Sequence, residues 1–154
     1  MSVETQITLI VTELGKIFEP TAIAFDPDDL IWSIALDNNT VIELTLDPRD
    51  DAEPVLVFAL PLGDVPKSAY GLLLRYNLLW ADTGGVYMAM SDDGAAVMLY
   101  RRPLRNLDAK TIHVILEAMI KSGVLWQQML ENADLGEGEG TPPPVDLRGG
   151  NMLV

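Results

Sequence analysis

The chain contains no cysteine, which excludes disulfides, thiolate metal sites and a cysteine nucleophile. It contains a single histidine, His113, placed in a helical pattern, where a histidine is far more often structural than catalytic. Serines are few (Ser2, Ser33, Ser68, Ser91 and Ser122), and none sits in a G-x-S-x-G elbow. Basic residues are scarce, 10 against 23 acidic ones, for a net charge of −13. A surface of that sign repels phosphate backbones, so nucleic acid is not an expected partner. Apolar runs fall far short of the ~20 residues that a membrane span needs. The opening MSVETQITLIVTELGK is acidic where a signal peptide would be basic. The expectation is a cytoplasmic chain with no secretion signal and no membrane contact.

Further chemistry is missing. Asp28-Asp29 and Asp50-Asp51 are adjacent carboxylates, which diverge on any regular element and read as turn residues. No spaced oxygen loop with a closing Glu suggests calcium. Thr83-Gly84-Gly85 lacks the lysine of a phosphate loop and precedes a strand, so it reads as a turn. No enzyme, metal or cofactor is therefore expected.

What is present is unevenly charged. Residues 1–66 carry 13 acidic and 2 basic side chains, whereas residues 67–130 carry 5 and 7. The short run Arg101, Arg102 and Arg105 suits a solvated rim or partners for the N-terminal acids. A chain of 154 residues suits one domain, and burying roughly 70% of its unfolded surface is enough for stability without staples.

The patterning predicts an α+β fold. Val3, Ile7, Ile10, Val11, Leu14, Ile17 and Phe18 fall at helical spacing over 3–18, with Glu4 near the positive end of the dipole. EPTAIAFDPDD reads as turn. LIWSIALD and TVIELTL alternate around the tight turn Asp37-Asn38-Asn39 and form a hairpin. DPRDDAEP reads as an exposed acidic loop, and VLVFALPLG as a central strand. A helix capped by Ser68 is expected to end near Ala81, followed by the flexible DTGG turn and a hairpin about Asp92-Asp93-Gly94. In that hairpin Met88, Met90 and Met98 read as core. The last helix has Asp108 as N-cap and a Leu107–Ile112 staple. Its apolar face is Ile112, Leu116, Met119, Gly123, Trp126 and Leu130, and it runs to about Asn132. The predicted order is α-β-β-β-α-β-β-α over 1–132, followed by a disordered Gly/Pro-rich acidic tail over 133–154.

One segment raises the question of what covers its second face. SAYGLLLRYNLLW, residues 68–80, is apolar nearly all the way round, with only Ser68, Arg75 and Asn77 to offer water. Covering a second apolar face is worth roughly 1.5–3 kcal/mol per large side chain. The economical cover is the same helix of a second subunit, because a two-fold interface is self-complementary. A buried core helix in a monomer is the competing explanation.

An apolar helix with Asn77 before its last turn is followed by Thr83-Gly84-Gly85, a hairpin with Asp93-Gly94, the helix start Leu104/Leu107/Asp108 and the late Trp126. In order and spacing this resembles the class I chaperones of bacterial type III secretion, the Tir-chaperone (CesT) family. The IALDNNTVIELTL hairpin agrees, and the resemblance spans about residues 3–132. It implies an acidic homodimer with a twisted, mainly antiparallel sheet packed by helices. It also implies no ATP hydrolysis and no cofactor. The partner would be the N-terminal chaperone-binding segment of a secreted effector, held extended and soluble for delivery, with the secretion ATPase as a further candidate partner.

By the same resemblance the dimer contacts map to Tyr70, Leu73, Leu74, Asn77, Leu78, Tyr87 and Met88. The effector groove maps to Leu14, Ile17, Phe18, Ile34, Leu36 and Leu44. The tail from Ala133 has no counterpart. The alternative is an immunity or antitoxin-like protein that neutralises one folded partner.

Overall fold

The computed structural model describes residues 1–36, 40–47, 53–79 and 81–134. It has three α-helices and six strands, in the sheet order β1-β2-β3-β4-β6-β5. The chain forms two compact units, Met1–Ala59 with Arg101–Leu116, and Leu60–Tyr100 with the described part of Glu117–Val154.

In the first unit, α1 (Val3–Phe18) starts at Ser2, whose hydroxyl accepts the Thr5 N–H and so satisfies one of the open donors of the first turn. Its buried stripe is Ile7, Val11 and Leu14. The helix stops at Glu19, which takes left-handed backbone geometry (φ 48°). Strands β1 (Ala22–Asp26), β2 (Ile31–Ala35), β3 (Val41–Asp47) and the start of β4 (Val55–Asp64) pair antiparallel in sequence order.

Strand parity decides what this unit buries. Trp32 and Ile34, Ile42 and Leu44, and Leu56 and Phe58 point inward and are closed to solvent. Trp32 Nε1 donates to Thr8 Oγ1 of α1 at 3.1 Å, and Phe25 stacks on the Trp32 ring at 4.7 Å. At Gly15 of α1 an added Cβ would lie 3.0 Å from Ile23 Cδ1, so β1 packs close against the helix there.

β1 is a difference from the sequence reading, which took EPTAIAFDPDD as turn. Between Pro20 and the Pro27-Asp28-Asp29 turn lie only six residues, five of them in β1. These become a strand because β2 offers them a ladder, with the Thr21 N–H reaching Ala35 O at 2.9 Å. Asp28 and Asp29 are turn residues as expected, their backbone N–H groups donating to Asp26 Oδ1. Asp47, expected in an exposed loop, instead ends β3 buried, with its carboxylate paired to Arg101. Arg105 pairs with Glu53 at 3.2 Å, so two of the three clustered arginines do serve acids of the N-terminal half. The predicted turn at 37–39 and the centre of the acidic loop, 48–52, lie outside the described residues.

The second unit holds the end of β4, α2 (Tyr70–Leu78), β5 (Tyr87–Met90), most of β6 (Ala95–Pro103) and the later part of α3 (Ala109–Asp134). Gly94 (φ 88°) turns the β5–β6 hairpin, and Met88 lies opposite Met98, both buried. Met90 is partly exposed, so the expected methionine core holds for two of the three.

Ser68 is not the cap of α2. Residues Lys67–Ala69 form a 3-10 turn closed by the Ala69 N–H on Pro66 O, which places Ala69 at the N-cap with no side-chain bond. The helix also ends earlier than expected, at Leu78, because Leu79 O accepts from both Asp82 and Thr83 and starts the turn. Thr83 Oγ1 donates to Val86 O at 3.0 Å inside that turn, and Gly84 and Gly85 supply its positive φ angles.

α3 matches its predicted face. Asp108 Oδ1 accepts the Thr111 N–H at 2.8 Å, and Leu107 and Ile112 are both buried. In the second unit Trp126 meets Tyr76 edge-on at 4.9 Å, and Gly123 lets the helix approach Leu60. The helix continues to Asp134; residues 135–154, most of the predicted tail, lie outside the described residues.

Candidate functional site

The segment that looked apolar all round resolves into two faces. Ala69, Leu72, Leu73 and Tyr76 are buried, while Tyr70, Leu74 and Leu78 recur every fourth residue and turn outward. Leu74 is 70% exposed and Leu78 79%, and with Tyr70 they form one apolar patch rather than scattered single residues. Leu79, next in sequence, is 42% exposed. Among the described residues of this unit, nothing closes this patch.

Asn77 holds the helix to the neighbouring hairpin. Its Nδ2 donates to Met88 O at 2.8 Å, and the Met88 N–H donates to its Oδ1 at 2.7 Å. The side-chain amide thereby imitates one rung of a β-ladder and closes part of the β5 edge. Of the seven residues mapped to a dimer contact, Tyr70, Leu74 and Leu78 lie on the outward face. Leu73 and Met88 are core, Tyr87 is half-buried, and Asn77 is engaged inside the chain.

The first unit presents two further surfaces. One is a cleft of about 330 Å³ between the outward side of α1 and the start of α3, lined by Met1, Leu9, Ile10 and Leu107 with Gln6 and Glu13 at its polar edge. The other is the outward face of the sheet. There the cross-strand rows read Ala22–Ala35–Val41, then Ala24–Ser33–Glu43–Ala59, then Asp26–Ile31–Thr45–Val57. Every side chain in these rows is exposed or half-buried.

Of the six residues mapped to an effector groove, Leu14, Ile34 and Leu44 lie in the core and have no surface to offer. This corrects the mapping: the alternation that defines the hairpin sends Ile34 and Leu44 inward and their strand neighbours outward, and Leu14 lies on the buried stripe of α1 itself. Ile17 is 44% exposed, Phe18 is half-buried with its ring edge-on to His113 at 5.2 Å, and Leu36 is half-buried. His113 is thus a packing partner of α1. Leu9, Ile23 and Val41 are exposed apolar residues that the sequence reading passed over. The signal for Leu9 was its place off the α1 stripe. Ile23 was hidden because its strand was read as turn.

Two carboxylates are held below the usual carboxylate value. For Asp93 the Ser91 hydroxyl is the main cause, followed by the Ala95 N–H. For Asp108 it is the Thr111 N–H, then the Thr111 hydroxyl. All four bonds belong to turns and caps. Among the described residues no group of three or more acidic or histidine side chains could hold a metal ion, and no helix is long and apolar enough to cross a membrane.

Three helices and a six-stranded sheet in this order define an α+β fold shared with solved type III secretion chaperones. The ExsC–ExsE complex has a chain that aligns at a TM-score of 0.72 and 13% identity, over 84% of this chain and 97% of that one. The HopA1–SchA chaperone–effector complex aligns at 0.61 and 15% identity, over 84% and 95%. The Yersinia pestis type III secretion chaperone SycH, solved with a stable fragment of YscM2, aligns at 0.57 and 15% identity, over 76% and 96%. Residues 11–127 match the Tir chaperone protein (CesT) family, and the chain belongs to that family. No curated protein matches the sequence.

Proposed function

We propose that the chain is a type III secretion chaperone that works as a homodimer in the bacterial cytoplasm. It binds the N-terminal chaperone-binding segment of a secreted effector in extended form and keeps it soluble and competent for secretion. The observation that carries this reading is membership of the CesT family over residues 11–127, a chaperone family and not an enzyme class. Its structural relatives include one described as a chaperone–effector complex and one described as a type III secretion chaperone in complex with a protein fragment.

The outward face of α2 supports the dimer. Tyr70, Leu74 and Leu78 form one helical stripe, so a two-fold axis beside it would set each stripe against its copy. The exposed Leu9 and Ile17 of α1 and the outward sheet face support binding of an extended chain, which gains affinity from apolar pockets and from free strand edges. The secretion ATPase is the natural recipient of the loaded chaperone. No observation favours the antitoxin-like alternative.

The test is co-expression with the products of neighbouring genes, followed by light-scattering mass and limited proteolysis of what copurifies. Two copies of this chain with one partner whose N-terminal segment is protected yet non-globular is the expected result. A monomer bound to a compact, protease-resistant partner would overturn the reading.

A further inference from the structure

The outward face of the first unit's sheet bears three carboxylates: Asp26 at the end of β1, whose Oδ1 accepts the Asp28 and Asp29 N–H groups, and two on β3 that the chain treats differently. Asp47 and Glu43 lie on the same side of β3, four residues and about 13 Å apart. Asp47 is closed to solvent under the Arg101 guanidinium. Glu43 is half-buried and forms no hydrogen bond or ion pair among the described residues.

The surroundings of Glu43 are small and uncharged. Its cross-strand neighbours are Ser33 and Ala59, with Ala24 beyond Ser33. Ahead and behind on the same face of β3 are Val41 and Thr45. A carboxylate set among methyl groups is partly stripped of water, which strengthens its attraction to a cation. The short flanking side chains leave room for the stem of a long one, whose methylenes would lie on Ala24 and Ala59 while its head reaches the carboxylate. Arg101 on Asp47 is this chain's own example of that pairing on the same face.

We propose that Glu43 is a specificity-determining residue, one that selects a lysine or arginine in the bound segment. The inference rests on the chaperone reading and deepens it. A segment lying along the strands would place alternate side chains on this face. The residues two before and two after the basic one would then meet the row of Ile31, Thr45 and Val57 and the row of Ala35 and Val41. The preferred client pattern is therefore apolar-x-basic-x-apolar. A chain of net charge −13 would also draw a basic segment in and repel an acidic one.

The test uses the full chain, a display library of random dodecapeptides, and the variants Glu43→Gln and Glu43→Lys. Circular dichroism confirms that each variant folds. The wild-type chain is expected to enrich peptides with one basic position between apolar ones. Those peptides should bind Glu43→Gln about tenfold or more weakly, the scale of a hydrogen bond to a charged group. Glu43→Lys should enrich an acidic residue at the same position. Apolar peptides enriched without a basic position, or basic ones bound equally by Glu43→Gln, would overturn the inference and leave the chaperone reading standing. Enrichment of nothing by any of the three chains would overturn both.

Discussion

Asn77 and Gly123 each do something that no other residue type would do as well. The Asn77 amide presents one donor and one acceptor to the Met88 peptide unit, and both are used. Asn77→Ala leaves a peptide N–H and C=O without partners, at about 1–3 kcal/mol for each group that cannot find water. The expected outcome is a lower urea midpoint, reporting a loss of about 2 kcal/mol or more of stability. Asn77→Asp removes the donor and sets an acceptor against Met88 O, and is expected to cost at least as much. At Gly123 an added Cβ would fall 2.8 Å from Leu60 Cδ2, and Leu60 is itself buried. Gly123→Leu is expected to destabilise by about 1–3 kcal/mol through overpacking, despite leucine's better helix propensity. An unchanged midpoint would mean that Leu60 can move aside.

At the scale of an element, the start of α3 depends on one carboxylate. Asp108 accepts the Thr111 N–H, and replacing such a cap by alanine costs about 1 kcal/mol. The bond is stronger to the ionised form, so the folded carboxyl titrates below its ordinary value of 3.8. A depressed value means that the stabilisation is present above the unfolded value and is lost as pH falls through the folded one. Comparing thermal midpoints of wild type and Asp108→Ala, the gap is expected to be widest at neutral pH and to narrow below 3.8. Asp108→Asn keeps an acceptor and is expected to retain most of the cap at both ends of the scale. β1 shows the opposite dependence: its five residues have no local signal that outweighs the flanking prolines, and only pairing with β2 makes them a strand.

For the whole molecule the decisive feature is the outward stripe of α2. If it is covered by a second copy, the wild-type chain should run at twice its 16.9 kDa by light scattering. Leu74→Asp with Leu78→Asp is expected to give a folded monomer or an aggregate, since each buried carboxylate would oppose its symmetry mate. A double variant that stays a well-folded dimer would remove α2 from the interface. Leu73→Asp should behave differently, unfolding the chain outright, because Leu73 faces the core of its own unit.

The sequence by itself determined the elements with strong periodicity. α1 and α3 were legible because each has an apolar stripe at helical spacing, and the cap at Asp108 because a short acidic side chain precedes that stripe. The β2–β3 hairpin was legible from its alternation, and family membership from the order of its motifs. Tertiary structure decided the rest. Which side of an alternating strand is buried is not written in the strand. It depends on where α1 lies, and so Ile34 and Leu44 went to the core while Ser33 and Glu43 went outward. The same holds for α2, whose Leu73 and Leu74 are chemically identical neighbours. Packing against the rest of the unit buries the first and leaves the second 70% exposed.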